Sequence, residues 1–110
     1  MEKTAQMSRI EYIAQALTER KQTVTCAESC TGGLLAAALT SIPGSSAFFE
    51  RSFVTYSNQA KKQLLNVTEE TLRHYGAVSE ETVREMALGA LIAAKSDYAL
   101  SISGIAGPDG

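Results

Sequence analysis

Thr23-Val-Thr-Cys-Ala-Glu-Ser-Cys-Thr-Gly-Gly-Leu-Leu-Ala-Ala-Ala-Leu39 changes its local chemistry twice within one short stretch. Thr23 to Cys26 is short and β-branched, which predicts a strand. Leu34 to Leu39 is apolar nearly all round, which predicts a buried helix. Between them runs Ala27-Glu-Ser-Cys-Thr-Gly-Gly33, a turn of small hydroxyl-bearing residues and glycine. Strand, glycine-rich turn and helix together are the physical recipe for an anion site, because free N–H groups at the helix start point at the ligand. Ser29, Thr31, Gly32 and Gly33 are therefore candidate ligand-binding residues. A second reading stays open, in which the two glycines serve only close helix–strand packing. The turn is not a Walker A loop, since no Gly-Lys-Ser/Thr ending follows it.

Working outward toward the N-terminus, Ser8-Arg-Ile-Glu11 has capping-box spacing, with Met7 and Tyr12 placed as a hydrophobic staple. Ile10, Ile13, Ala14 and Leu17 follow at i, i+3, i+4 and i+7, predicting a helix from Arg9 to Arg20. Toward the C-terminus, Ser52 to Tyr56 reads as a second strand, with Phe53 and Thr55 on one face and Val54 and Tyr56 on the other. Asn58 to Leu65 is a helix capped by Ser57 or Asn58, and Thr68 opens another that Gly76 ends. Ser79 caps the longest helix, in which Val83, Met86, Ala87, Ala90, Leu91 and Ala94 keep the amphipathic period to Lys95, with Met86 as core filler. Tyr98 to Ser103 alternates large and small residues as a last strand and runs into Gly104-Ile-Ala-Gly-Pro-Asp-Gly110. This second glycine-rich strand end makes Gly104 and Gly107 further candidates for anion binding. Helices separating short strands imply an α/β fold, specifically a three-layer α/β/α domain with a mostly parallel sheet and helices on both faces. Ligand crevices in such sheets lie off the carboxyl ends of the strands, where Ser29, Tyr56 and Ser103 all fall.

Composition narrows the function. The chain has 110 residues, which is one domain, and is 45% hydrophobic and 20% charged. A net charge of −2 offers no basic face for a phosphate backbone, which argues against nucleic-acid binding. The apolar run Gly32 to Leu39 is far too short to span a bilayer, so no membrane association is expected. A polar start without an apolar signal core points to the cytoplasm. Cys26 and Cys30 have neither redox nor metal-cluster spacing, and the lone His74 cannot complete a cluster, so no metal is expected. In a reducing compartment both cysteines should be free and at least partly buried. His74 reads as a surface residue favouring a helix C-terminus, and one histidine makes a Ser-His-Asp triad improbable.

The parts of a Ser–Lys site lie in Gly44-Ser-Ser-Ala-Phe-Phe-Glu-Arg-Ser-Phe-Val-Thr-Tyr-Ser-Asn-Gln-Ala-Lys61. A turn serine, Ser46, attacks; an uncharged Lys61 takes its proton; Tyr56 relays or orients. A cation in a first helical turn opposes the macrodipole, which favours the neutral amine of Lys61. Cys30 has no neighbouring base in sequence and ranks below Ser46 as nucleophile.

Ala27 to Gly33, Phe53-Val-Thr-Tyr-Ser-Asn58 with Lys61, Gly76-Ala-Val-Ser79 and Ser103-Gly-Ile-Ala-Gly-Pro108 together resemble one family. It is the C-terminal domain of competence/damage-inducible CinA proteins, which includes stand-alone bacterial nicotinamide-nucleotide amidases. The resemblance runs from about Leu17 to the last residue, with its blocks in the family's order. It implies hydrolysis of nicotinamide mononucleotide to nicotinic acid mononucleotide and ammonia, in pyridine-nucleotide salvage, with no metal or cofactor and with a homodimer as the working state. It places the nucleophile on Ser46, the base on Lys61, the assisting tyrosine on Tyr56 and a further catalytic hydroxyl on Ser103. Family domains continue past the Gly-Pro-Asp-Gly segment, so residues 1–110 are expected to lack their closing strands and helix. The alternative is a non-catalytic nucleotide-binding module of the same fold; a purely structural subunit is weaker, having no use for glycine-rich strand ends.

Overall fold

Every residue of the first strand, β1 (Val24–Glu28), is buried, and the domain is assembled around it. The computed structural model describes residues 7–104. β1 is the middle of a three-stranded parallel sheet in the order β2-β1-β3. β2 is Phe53–Val54 and β3 is Tyr98–Ile102. β1 runs two residues further than its β-branched start suggests, because Ala27 and Glu28 pair with both neighbouring strands. β2 is shorter than the expected Ser52–Tyr56. Thr55 still donates its N–H to the Glu28 carbonyl at 2.8 Å, but the chain then leaves the sheet and the Thr55 carbonyl turns inward.

The side-chain alternation of β1 sorts the helices into two layers. On one face Val24 and Cys26 pack with Ala14 and Leu17 of α1 (Arg9–Arg20), Leu39 of α2 (Leu34–Thr40) and Phe48. On the other, Ala27 packs with Leu65 of α3 (Asn58–Leu65), Val67, and Met86 and Ala90 of α5 (Glu80–Ala94). α4 (Glu69–Tyr75) bridges α3 and α5 and adds Leu72 to the same cluster. This is the expected three-layer α/β/α arrangement with a parallel sheet. Burying each of the larger core side chains, such as Leu39, Phe48, Leu65 and Met86, stabilises by about 1.5–3 kcal/mol.

Helix starts follow their caps. Ser8 and Glu11 form the capping box of α1, and Ser57, Thr68 and Ser79 each accept an N–H bond from the first turn of α3, α4 and α5. His74 lies exposed in the last turn of α4. Cys26 is buried and Cys30 half-buried, both as free thiols. The structure corrects one expectation: α2 is not buried all round. Its two turns carry a single stripe, Leu35 and Leu39, that reaches the core, while Leu34 at its start is exposed. Among the described residues no helix is long and apolar enough to cross a membrane.

α3 and α5 meet at Gly89. A Cβ built there would lie 1.9 Å from the Leu65 carbonyl oxygen, so only glycine permits this approach. The contact fixes the depth of α3 one helical turn beyond Lys61, and so positions that side chain.

Candidate active site

Lys61 projects from the first turn of α3 to the carboxyl end of β1 and is 1% exposed. Its Nζ lies 3.2 Å from Ser29 Oγ and 3.2 Å from the Thr55 carbonyl oxygen. Among the described residues the ion pairs lie between surface side chains and do not include Lys61. Burial pushes the amine below its ordinary lysine value, with nearby Cys30 opposing that shift. A neutral amine has one lone pair and two hydrogens. It can donate to the Thr55 carbonyl and accept from the Ser29 hydroxyl, which is the geometry of a base poised on an alcohol.

Ser29 is the first residue beyond β1 and is buried, its N–H bonded to the Ile102 carbonyl at 3.0 Å. That bond brings the end of β3 beside it. Ser103 follows, donating its hydroxyl to the Ala77 carbonyl at 2.8 Å, and Gly104 comes so close to Cys30 that a Cβ would sit 3.4 Å from the thiol sulfur. The site thus gathers Ser29, Cys30, Lys61, the Thr55 carbonyl and the Ser103–Gly104 strand end. Tyr56 follows Thr55 at the rim and is 65% exposed.

Ser46 is elsewhere. It sits exposed on a 3-10 turn, Ser45–Ala47, just before Phe48, whose carbonyl accepts from Val24 N–H at the amino end of β1. Roughly 16 Å of strand separates that end from Ser29. Within one chain the structure does not bring Ser46 to Lys61. The physical reason is direction: a turn that precedes a parallel strand lies at the amino end of the sheet, and the groups that follow strands lie at the other.

The first glycine-rich turn also departs from expectation. Its glycines do take left-handed angles, +61° at Gly32 and +113° at Gly33. Several of its donors, however, are spent inside the chain. Gly32 N–H bonds the Ser29 carbonyl and Leu34 N–H the Thr31 carbonyl. Leu35 and Ala36 N–H, and the Thr31 hydroxyl, all donate to the Glu28 carboxylate. An internal anion already occupies the start of α2, and Gly104 at the end of β3 is the second glycine-rich candidate. Gly107 lies outside the described residues. Sequence reading passed over Glu28, which stands between Ala27 and Ser29 with nothing local to mark it as buried.

The likeness to known proteins covers nearly the whole chain. The family model described as the CinA C-terminal domain matches residues 6–110. A nicotinamide-nucleotide amidohydrolase PncC from Escherichia coli (strain K12) is 66% identical over 100 residues, covering 91% of this chain and 61% of that protein. A CinA-like protein from Chloroherpeton thalassium is 56% identical over 107 residues, 97% of this chain and 26% of that one. The crystal structure of competence/damage inducible protein CihA from Agrobacterium tumefaciens superposes with a TM-score of 0.85 at 50% identity, over 92% of this chain and 61% of that one. A CinA superfamily protein from Escherichia coli superposes at 0.89 and 38% identity, over 96% and 65%. The chain therefore spans about three fifths of the length of the amidohydrolases it matches. It belongs to the CinA C-terminal domain family.

Proposed function

We propose that this chain carries the nucleophile and base of an amidohydrolase that converts nicotinamide mononucleotide to nicotinic acid mononucleotide and ammonia. One observation carries the reading: a buried lysine nitrogen 3.2 Å from a buried serine hydroxyl at the carboxyl end of the central strand. The names of the similar amidohydrolases supply the substrate. Ser29 Oγ attacks the carboxamide carbon while its proton passes to Lys61 Nζ. The C–N bond then breaks, and Lys61 returns the proton to the departing nitrogen, which leaves as ammonia. Water repeats the sequence on the resulting ester, freeing the carboxylate and restoring Ser29. Tyr56 at the rim orients the ring, and Ser103 contributes a further hydroxyl from the neighbouring end of β3. Neither step calls for a metal or cofactor. We place the enzyme in the cytoplasm as a homodimer, with the substrate phosphate held near Gly104.

The resemblance-based nucleophile, Ser46, is exposed on its turn. It can meet Lys61 only if a second copy carries it there. Ammonia release from nicotinamide mononucleotide by the full-length protein decides between them. Ser29→Ala should lose on the order of 10²–10⁴ of kcat, and Ser46→Ala should keep most of it. The reverse pattern, in folded variants, would remove Ser29 as nucleophile. Binding without turnover in the unmodified protein would favour the nucleotide-binding module.

A further inference from the structure

Glu28 and Lys61 are the buried charged side chains among the described residues, and they flank Ser29 from two sides. Glu28 immediately precedes Ser29 in the chain and is 0% exposed. A carboxylate taken out of water at this depth is costly unless its oxygens are fully engaged. They are: Thr31 Oγ1 donates to Oε1 at 2.6 Å, Leu35 N–H to Oε1 at 2.8 Å and Ala36 N–H to Oε2 at 2.8 Å. Burial alone would raise its pKa, but these bonds and one from Gly33 outweigh it, so the group stays ionised. The N-cap of α2 is Gly33, which has no side chain with which to cap. The capping task falls to a residue on the strand before the turn. One side chain thus clamps strand, turn and helix together, and Ser29 lies inside the clamp.

We propose that Glu28 is a positioning residue for the Ser29–Lys61 pair: its carboxylate locks the Ser29–Gly33 turn so that Ser29 Oγ meets Lys61 Nζ. The same carboxylate acts as a built-in anion that bars a substrate phosphate from the start of α2. This rests on the Ser29–Lys61 reading above. The requirement is for two acceptor oxygens at this reach. Glutamine keeps one acceptor and turns an NH₂ toward a backbone N–H, which unlocks half of the clamp. Thr31→Val removes one donor and leaves both backbone bonds in place.

The test is steady-state ammonia release from nicotinamide mononucleotide by the full-length protein, assayed well below each variant's melting temperature. Glu28→Gln should lower kcat on the order of 10²-fold, the scale of a nucleophile misplaced by about 1 Å, with KM changed less than about threefold. Thr31→Val should lower kcat by about three- to tenfold, and Thr31→Ser, which restores the hydroxyl, should recover it. A purely structural cap would lower the melting temperature and leave kcat of the folded enzyme alone. Folded Glu28→Gln with unmodified kcat overturns the proposal, and so does a rise in KM at constant kcat, which would make the turn a substrate contact. If Glu28→Gln does not fold, Thr31→Val decides, and unchanged kcat there overturns the proposal. An active Ser29→Ala would instead sink the underlying pair, whereas inactive Ser29→Ala with active Glu28→Gln sinks the positioning role alone.

Discussion

Gly89→Ala is the sharpest perturbation of this fold, because helix propensity and packing pull it in opposite directions. Gly89 lies inside α5, where alanine is favoured over glycine by about 1 kcal/mol. Against that, the new Cβ would stand 1.9 Å from the Leu65 carbonyl oxygen, 2.7 Å from its carbon and 2.8 Å from its Cα. These are backbone atoms, so no side-chain rotation relieves them. Contacts of this kind do not fall below 3.0 Å, so α3 and α5 must part by about 1.1 Å where they cross. Leu65 is 1% exposed and belongs to the cluster with Met86 and Ala90, so separation opens that core. Overpacking of this severity costs at least about 3 kcal/mol, and the propensity gain leaves a net loss of about 2 kcal/mol. For a domain of this size Tm should drop by about 10 °C. Lys61 lies one turn before Leu65 on α3, so the displacement also stretches its contact with Ser29, and kcat should fall on the order of 10²-fold. Differential scanning calorimetry and ammonia release measure the two effects. A melting temperature equal to or above that of the unmodified protein would refute the reasoning, since propensity would then have won.

The pH behaviour follows from Lys61. Its amine sits below the ordinary value of 10.5, so kcat should rise with pH to a midpoint below 10.5 as the neutral base forms. The same depressed value means that the unfolded chain binds more protons between the folded value and 10.5. Stability should therefore rise with pH across that window. Lys61→Met should abolish this slope in urea melts taken at increasing pH, and should cut kcat by at least about 10²; an unchanged slope would assign it to another group. The two thiols should separate cleanly: burial, with the Glu28 carboxylate second, pushes Cys26 up to about 12, so iodoacetamide at neutral pH should label half-buried Cys30 and spare Cys26 by mass spectrometry. Ser8→Ala removes one side of the α1 capping box and should cost about 1 kcal/mol, read as a shift in urea midpoint. Finally, the nucleoside lacking phosphate should be a poorer substrate; equal efficiency would end the phosphate role of the Gly104 turn.

The elements of this fold were legible because each carries a local signal. Ser8, Ser57, Thr68 and Ser79 all cap the helices that their spacing announced. Gly76 ends α4, and Met86 sits in the core. Glu28 was not legible, because a buried carboxylate is recognisable only once its donors, three to eight residues later, have curled back onto it. The nearness of Ser29 to Lys61 was overlooked for a different reason, and it was within reach of the sequence. Proximity along the chain favoured Ser46, fifteen positions from Lys61, over Ser29, thirty-two positions away. In a parallel sheet that ranking inverts. Every connection leaves one strand at its carboxyl end and enters the next at its amino end. A residue just after a strand therefore shares an end with residues just after the other strands, whatever lies between them. Ser29 follows β1, Lys61 follows β2 and Ser103 follows β3, so the topology alone places all three at one edge. Ser46 comes shortly before β2, and the same rule sends it to the opposite edge. Once the alternation of strands and helices had implied a parallel sheet, the pairing of Ser29 with Lys61 was the consistent deduction.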